Sequence, residues 1–288
     1  MARIAYVNGR YLPMTDASVN VEDRGYQFAD GVYEVCEIRK GDLIDETRHL
    51  ARLEYSLGEL RIAMPMGRAA LGMVLRQVIR RNRVRNGYVY LQVTRGVAPR
   101  DHAFPTRPVR PALVVTVKPL DPAIGAAVAE DGIAVITVPE NRWDRVDIKT
   151  VGLLPNVLAK QAAREAGARE AWFVDADGFV TEGASTNAWI VTGDGVLVTR
   201  PADRGILRGI TRAVVMETAA AEGLRVEERA FTVEEAKRAR EAFVTAATQL
   251  VMPVVRIDEA TVGNGKPGSI AATLRARFHD HAEAVPVG

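Results

Sequence analysis

The chain has 288 residues, 48% hydrophobic and 26% charged, and its 38 basic and 36 acidic residues leave a net charge of +2. So close a balance excludes a strongly basic chain, gives no reason to expect nucleic acid or an anionic membrane as partner, and fits a globular protein of one large or two moderate domains. The single cysteine, Cys36, excludes an intrachain disulfide, and its setting in Val35-Cys36-Glu37-Ile38 predicts a small packed residue in a strand.

In chain order, Ile4 to Val7 and Arg10 to Leu12 flank Asn8-Gly9, a hairpin signal because both turn positions require positive φ. Val32 to Ile38 predicts a strand that returns through Lys40-Gly41-Asp42 into Leu43-Ile44. Leu50, Leu53, Leu57 and Leu60 recur at helical spacing and predict a helix over about 47–62. A second helix is predicted over about 68–83, with Leu71, Val74, Leu75, Val78 and Ile79 on one face. Strands follow at Gly87 to Arg95 and Ala112 to Val117. Lys118-Pro119-Leu120-Asp121-Pro122 interrupts the pattern, and its two prolines favour an extended linker. The expected organisation is a small domain over 1–118, a linker over 119–122 and a larger domain over 123–288.

The second part predicts strands near 132–138, 171–175, 179–181, 187–192, 195–199, 225–230 and 242–245. Its helices are predicted near 155–167, 211–223 and 269–281. Strands and helices mix without strict βαβ alternation, so the expected class is mixed α/β rather than a doubly wound Rossmann sheet.

Three separated residue groups carry chemistry. The chain has six lysines, at 40, 118, 149, 160, 237 and 266, which shortens the search for a catalytic amine. Lys149 stands out because Ile148, Val151, Leu153 and Leu154 surround it in sequence. An apolar setting favours the neutral amine that a carbonyl cofactor needs to form a Schiff base. Taken alone, Lys149 fits a solvated loop better. Glu182 follows the predicted strand Phe179-Val180-Thr181, and a carboxylate there can keep a pyridine nitrogen protonated; alone it also reads as a surface glutamate. Ser185 and Asn187 suit either a cofactor lining or a plain turn. Gly209-Ile210-Thr211-Arg212 opens a helix, whose free N–H groups and positive dipole end suit a phosphate. There Thr211 either adds a hydroxyl donor or merely caps the helix. Arg52, on the first long helix, can pair with a phosphate bidentately or lie on a solvated face. Together these groups match the needs of pyridoxal phosphate; no metal site is expected.

Two upstream segments add to the set. Glu22 to Glu34 (Glu-Asp-Arg-Gly-Tyr-Gln-Phe-Ala-Asp-Gly-Val-Tyr-Glu) is denser in charged, aromatic and glycine residues than a hairpin requires. Arg95 to Pro105 is a post-strand loop in which Arg100 and His102, two residues apart, can grip a carboxylate if the loop covers a site.

On these motifs the chain resembles the class IV (fold-type IV) pyridoxal-phosphate aminotransferases, most closely their D-amino-acid branch. The motifs that carry the resemblance are Arg24-Gly-Tyr with Asp30-Gly-Val-Tyr33-Glu, Val93-Thr-Arg95-Gly, Arg100-Asp-His102, Asp147-Ile-Lys149, Thr181-Glu182-Gly and Leu207-Arg-Gly-Ile210-Thr211-Arg. The resemblance implies two α/β domains with the cofactor in the cleft between them. It implies that Lys149 carries the Schiff base and shuttles a proton, and that Glu182 pairs with the pyridine nitrogen. Arg52, Ile210 and Thr211 would bind the phosphate, Leu207 would pack on the ring, and Tyr33, Arg100 and His102 would hold the substrate α-carboxylate. In the D-specific branch that Arg-x-His loop comes from the neighbouring subunit, which implies a homodimer. The lysine works on one cofactor face, so the side that binds the carboxylate decides which enantiomer reacts. Arg100 and His102 therefore argue for D-amino acids.

The resemblance is imperfect at Ala184, Ala246 and Ala247, where relatives often carry hydroxyls; Ala247 aligns with a phosphate-binding threonine, and Thr248 is a possible substitute donor. The expected reaction moves the amino group of D-alanine to 2-oxoglutarate. A branched-chain L-aminotransferase, an (R)-amine transaminase and an aminodeoxychorismate lyase are alternatives on the same fold, and a ligand binder without catalysis is a further one. The N-terminus lacks a basic segment followed by an apolar run, and no stretch approaches the roughly 20 apolar residues of a membrane span. A cytoplasmic enzyme acting on amino-acid and keto-acid substrates, with no nucleic-acid or membrane partner, is expected.

Overall fold

A computed structural model describes residues 3–288. In chain order the elements are β1 (Ile4–Val7), β2 (Arg10–Pro13), α1 (Arg24–Phe28), β3 (Gly31–Arg39), β4 (Asp42–Ile44), α2 (Glu46–Glu59), α3 (Arg68–Asn82), β5 (Gly87–Thr94) and β6 (Ala112–Pro119). There follow α4 (Pro122–Asp131), β7 (Ile133–Pro139), α5 (Leu154–Glu165), β8 (Glu170–Val174), β9 (Val180–Gly183), β10 (Asn187–Val191), β11 (Leu197–Thr199), α6 (Ile210–Ala221) and β12 (Val226–Glu228). The chain finishes with α7 (Val233–Lys237), β13 (Glu241–Ala246), β14 (Leu250–Ile257), β15 (Ala260–Thr261), α8 (Ser269–His281) and β16 (Ala284–Pro286). The class is mixed α/β.

The chain forms two compact units. The first holds the described residues up to Asp121 together with Ile148–Gly152 and Glu283–Gly288; the second holds Pro122–Asp147 and Leu153–Ala282. The sequence places everything from 123 onward in one domain, whereas the segment bearing Lys149 and the C-terminal strand pack with the first unit. The expected extended linker is also shorter than its two prolines suggest, because Pro122 opens α4, the helix end where a missing N–H does no harm.

The first unit is a seven-stranded antiparallel sheet in the order β16-β4-β3-β5-β6-β1-β2. Its hairpin turn has Asn8 at φ 47° and Gly9 at φ 98°, as the Asn-Gly signal requires. Alternation along the strands sorts side chains between the two faces. Val32, Cys36, Ile38, Val89, Leu91, Val93 and Val115 point to one face, against Leu50, Leu53 and Leu57 of α2 and Leu71, Leu75 and Val78 of α3. Each fully buried Leu or Val there contributes about 1.5–3 kcal/mol. The opposite face carries Tyr33, Tyr90 and Gln92, each half-buried.

One gap in this sheet positions the lysine. The short strand β4 pairs with β3 only at Ile38 and Arg39, so the edge of β3 near Gly31 to Tyr33 is left without a neighbour on that side. The segment around Lys149 fills it: Val32 bridges Thr150 in antiparallel sense, Tyr33 N–H donates to Lys149 O at 3.0 Å, and Val151 N–H donates to Gly31 O at 3.1 Å.

The second unit is a mixed sheet in the order β12-β11-β10-β13-β14-β7-β8-β9, with β15 on β14. Pairs β11/β12, β14/β7 and β7/β8 are parallel and the rest antiparallel, so no Rossmann sheet forms. Trp172, Ile190, Phe231, Val244, Met252 and Val254 fill its main core. Sequence reasoning missed α1, α4, α7, β14, β15 and β16. β14 carries Pro253, a residue that rarely sits within a central strand, and accommodates it beside a register shift between Val254 and Arg256.

Candidate active site

The first unit holds Lys149 by backbone and side chain. Its N–H donates to Ser56 Oγ at 3.2 Å, and its Nζ lies 3.3 Å from Tyr33 Oη and 4.3 Å from the Tyr33 ring centroid. Tyr33 in turn stacks on Tyr90 with centroids 5.6 Å apart, and Tyr90 Oη donates to Gln92 Oε1 at 2.8 Å. Burial, with a smaller contribution from Tyr33, pushes the Tyr90 phenol up to about 12, so it stays a neutral donor. The apolar setting expected from the flanking sequence is only partly present: Ile148 is buried, but Leu154 is 68% exposed.

Arg52 sits beside a fully buried carboxylate that the sequence alone did not assign. Its Nε and Nη2 donate to Glu34 Oε1 and Oε2 at 2.7 and 2.8 Å, and His49 Nδ1 lies 2.8 Å from Glu34 Oε2. Burial alone raises the Glu34 pKa. The Arg52 guanidinium and then His49 outweigh it and hold the carboxyl well below the usual carboxylate range. Glu34 thus fixes the plane of the guanidinium expected to meet the phosphate.

Arg100 and His102 lie on the irregular loop after β5 and are exposed. The Arg100 guanidinium stands 4.6 Å over the Phe28 ring, and His102 lies 5.4 Å from the same ring.

In the second unit, Glu182 is buried at the end of β9. It accepts from Arg142 Nη1 at 2.6 Å, Asn187 Nδ2 at 2.9 Å and Leu207 N–H at 3.1 Å. Arg142 is itself held by Glu140 through Nε and Nη2 at 2.8 and 2.6 Å. Desolvation lowers the Arg142 pKa, but its bonds to Glu140 and the charge of Glu182 prevail and keep it firmly cationic. A cation beside Glu182 favours the ionised carboxylate, the form that can accept a pyridinium N–H.

Asn187 is used differently from a simple lining residue. Its amide donates to both Glu182 Oε2 and Leu207 O, the latter at 3.0 Å, and so ties the carboxylate to the turn that opens α6. Ser185 donates to buried Glu170 at 2.8 Å, which places that hydroxyl proton on the strand beneath it. Gly209 is the N-cap of α6, no side chain caps this end, and Ile210 and Thr211 are the first helical residues. Thr211 therefore does not cap the helix. A Cβ at Gly209 would collide with Asn187 Oδ1, so only glycine permits this close turn. An uncapped helix N-terminus beside a buried, donor-rich carboxylate fits the phosphate and ring nitrogen of pyridoxal phosphate. Ala247 follows β13 in a turn and offers no hydroxyl there.

Glu34, Glu140, Arg142 and Glu170 escaped functional assignment in the sequence. Glu34 lay in a motif already singled out. The others carry no periodic signal: Glu140 grips Arg142 two residues on, but Arg142 meets Glu182 40 residues away and Glu170 meets Ser185 15 residues away.

A family model described as amino-transferase class IV matches residues 31–257. A D-alanine aminotransferase of Staphylococcus haemolyticus is 39% identical over 279 residues, covering 97% of this chain and 98% of its own. One from Bacillus licheniformis is 40% identical over 273 residues, covering 95% of each. Among solved structures, a branched-chain amino acid aminotransferase of Escherichia coli superposes with a TM-score of 0.90 at 25% identity, over 97% of this chain and 94% of that one. The T.th. branched-chain amino acid aminotransferase with pyridoxamine 5'-phosphate gives a TM-score of 0.88 at 25% identity, over 100% and 99%. A match across most of the chain, to the family model and to relatives 39–40% identical, makes this protein a member of the class IV aminotransferases.

Proposed function

We propose that this enzyme is a pyridoxal-phosphate-dependent D-amino-acid transaminase that passes the amino group of D-alanine to 2-oxoglutarate, releasing pyruvate and D-glutamate. Bound pyridoxal phosphate supplies the aldehyde carbon that takes the amine and a ring that accepts the electron pair released at the substrate Cα. Lys149 would hold that aldehyde carbon between turnovers, and its amine, released when substrate binds, would take the proton from the substrate Cα and deliver it to the carbon that carried the aldehyde. Glu182 holds the pyridine nitrogen's proton, with Arg142 and Asn187 fixing the carboxylate. Ile210 and Thr211 at the head of α6 bind the phosphate, Arg52 adds counter-charge, and Leu207 packs on the ring. Tyr33, Arg100 and His102 take the substrate α-carboxylate.

The observation that carries D-specificity is the pair Arg100 and His102, two exposed cationic or polar groups on one loop whose polar atoms are directed to no acidic partner among the described residues. The relatives called D-alanine aminotransferases, 37–40% identical over nearly the whole chain, support the same reading. We place the enzyme in the cytoplasm as a homodimer, in which this loop serves the neighbouring subunit; no helix among the described residues is long and apolar enough to cross a membrane. A branched-chain L-aminotransferase is the second reading, favoured by the structural neighbours.

The visible spectrum of the purified holoenzyme separates the two. D-Alanine added to one aliquot and L-leucine to another should bleach the yellow band with D-alanine alone. Bleaching by L-leucine alone would transfer the enzyme to the branched-chain group and overturn the roles of Arg100 and His102.

A further inference from the structure

Arg24, in the motif Arg24-Gly-Tyr, is only 3% exposed, and none of the roles above uses it. A guanidinium so deeply placed must have all its strong partners within the protein, and those partners lie on two different segments. Nε donates to Asp30 Oδ2 at 2.8 Å, just ahead of β3. Nη1 donates to Asp101 O at 2.6 Å, and Nη2 reaches His102 O at 3.4 Å. One planar group thus fastens the Arg100–His102 loop, which has no regular structure of its own, to the root of a central strand.

The far anchor is rigid. Asp30 is also gripped by Arg95 through Nε and Nη2 at 2.7 and 2.9 Å. Burial alone raises the Asp30 pKa, but Arg95 and then Arg24 hold it below its ordinary value. The Arg24 N–H further donates to Gly96 O at 2.9 Å. Phe28 adds a second register mark, since its ring faces Arg24 at 4.8 Å and Arg100 at 4.6 Å, with His102 at 5.4 Å. Backbone and side chains of the loop are therefore indexed to the same short helix, α1.

We propose that Arg24, with Phe28, is a positioning residue for substrate carboxylate recognition: it sets where Arg100 and His102 stand without touching substrate. This rests on the reading that Arg100 and His102 hold the α-carboxylate. Lysine cannot replace it, because a single ammonium keeps the charge beside Asp30 but lacks the fork that spans a carboxylate and two carbonyls.

The test compares the wild-type holoenzyme with Arg24→Lys, Phe28→Leu and the double variant Arg100→Ala/His102→Ala. Steady-state kinetics with D-alanine would be measured alongside competitive inhibition by propionate, a carboxylate without an amine. Arg24→Lys should raise KM and the propionate inhibition constant together by about tenfold, with kcat within about twofold, because a uniformly used binding contact is weakened. Phe28→Leu should shift both in the same direction by less, and the visible band of the bound cofactor should be unchanged in each. A wild-type KM in Arg24→Lys beside a raised KM in the double variant overturns this inference and leaves the carboxylate reading standing. A loss of kcat at constant KM, or of bound cofactor, assigns Arg24 a merely structural role and also overturns it. A wild-type KM in the double variant sinks the carboxylate reading, and this inference with it.

Discussion

The ε-amine of Lys149 lies 3.3 Å from the phenolic oxygen of Tyr33, a residue 116 positions away in sequence. The contact exists because the backbone around Lys149 completes the edge of β3, so one short stretch of antiparallel pairing places amine and phenol together. Lys149→Ala should abolish transamination and the visible band of the bound cofactor. Tyr33→Phe should keep the band and lose about tenfold or more in kcat/KM, since a hydrogen bond to a charged carboxylate contributes about 1.5–3 kcal/mol. Wild-type turnover in Lys149→Ala would remove the lysine from the mechanism.

Glu34 makes stability pH-dependent. Its folded pKa is depressed by Arg52 and His49, so its stabilisation is complete above the unfolded value of about 4.3 and is lost as pH falls through the lower folded value. Glu34→Gln, which leaves Arg52 without that charge, should cost about 3–5 kcal/mol at neutral pH. Urea unfolding of both proteins should show the gap between them narrowing below about pH 4. A gap that stays constant as pH falls from neutral through that range would contradict the ion pair.

Arg142 separates two carboxylates that would otherwise face one another across a poorly solvated space. Arg142→Met should cost about 3–5 kcal/mol through the uncompensated charges of Glu140 and Glu182, and should weaken cofactor retention on dialysis. Unchanged urea midpoint and retention would mean that Glu182 does not need the cation.

Gly209→Ala should lower cofactor affinity and stability together by about 1–3 kcal/mol, since the new methyl meets Asn187 Oδ1. Gly193→Ala is the control, because nothing lies within 4 Å of a Cβ there. Equal effects at the two positions in thermal melts and cofactor titration would show that the Asn187–Leu207 turn is not the sensitive element.

Ala247→Thr adds a hydroxyl where class IV relatives were expected to carry one. It should tighten cofactor binding by about 0.5–1.5 kcal/mol, read as a lower dissociation constant in titration of the apoenzyme. No change would place the phosphate's contacts elsewhere.

Much of this protein was legible without its fold. Apolar runs predicted β3 and β5, leucine spacing predicted α2, and Asn8-Gly9 predicted the first hairpin, because these depend on residues close in sequence. The site motifs were legible for a similar reason: a lysine, a carboxylate and a glycine-opened helix each announce a chemical capacity locally. Their partnerships were not. That Ser56 receives the Lys149 N–H, that Glu34 orients Arg52, that Arg142 attends Glu182 and that Arg24 holds the carbonyls of a loop 77 residues on are long-range pairings between polar groups. Polar pairs leave no periodic trace, because a buried charge requires a partner without specifying where in the chain it comes from. The sequence by itself singled out the residues proposed to carry the chemistry; the tertiary structure decided which neighbour fixes each of them, and it drew the Lys149 segment into the first unit because the short β4 leaves the edge of β3 near Gly31 to Tyr33 open for it to pair.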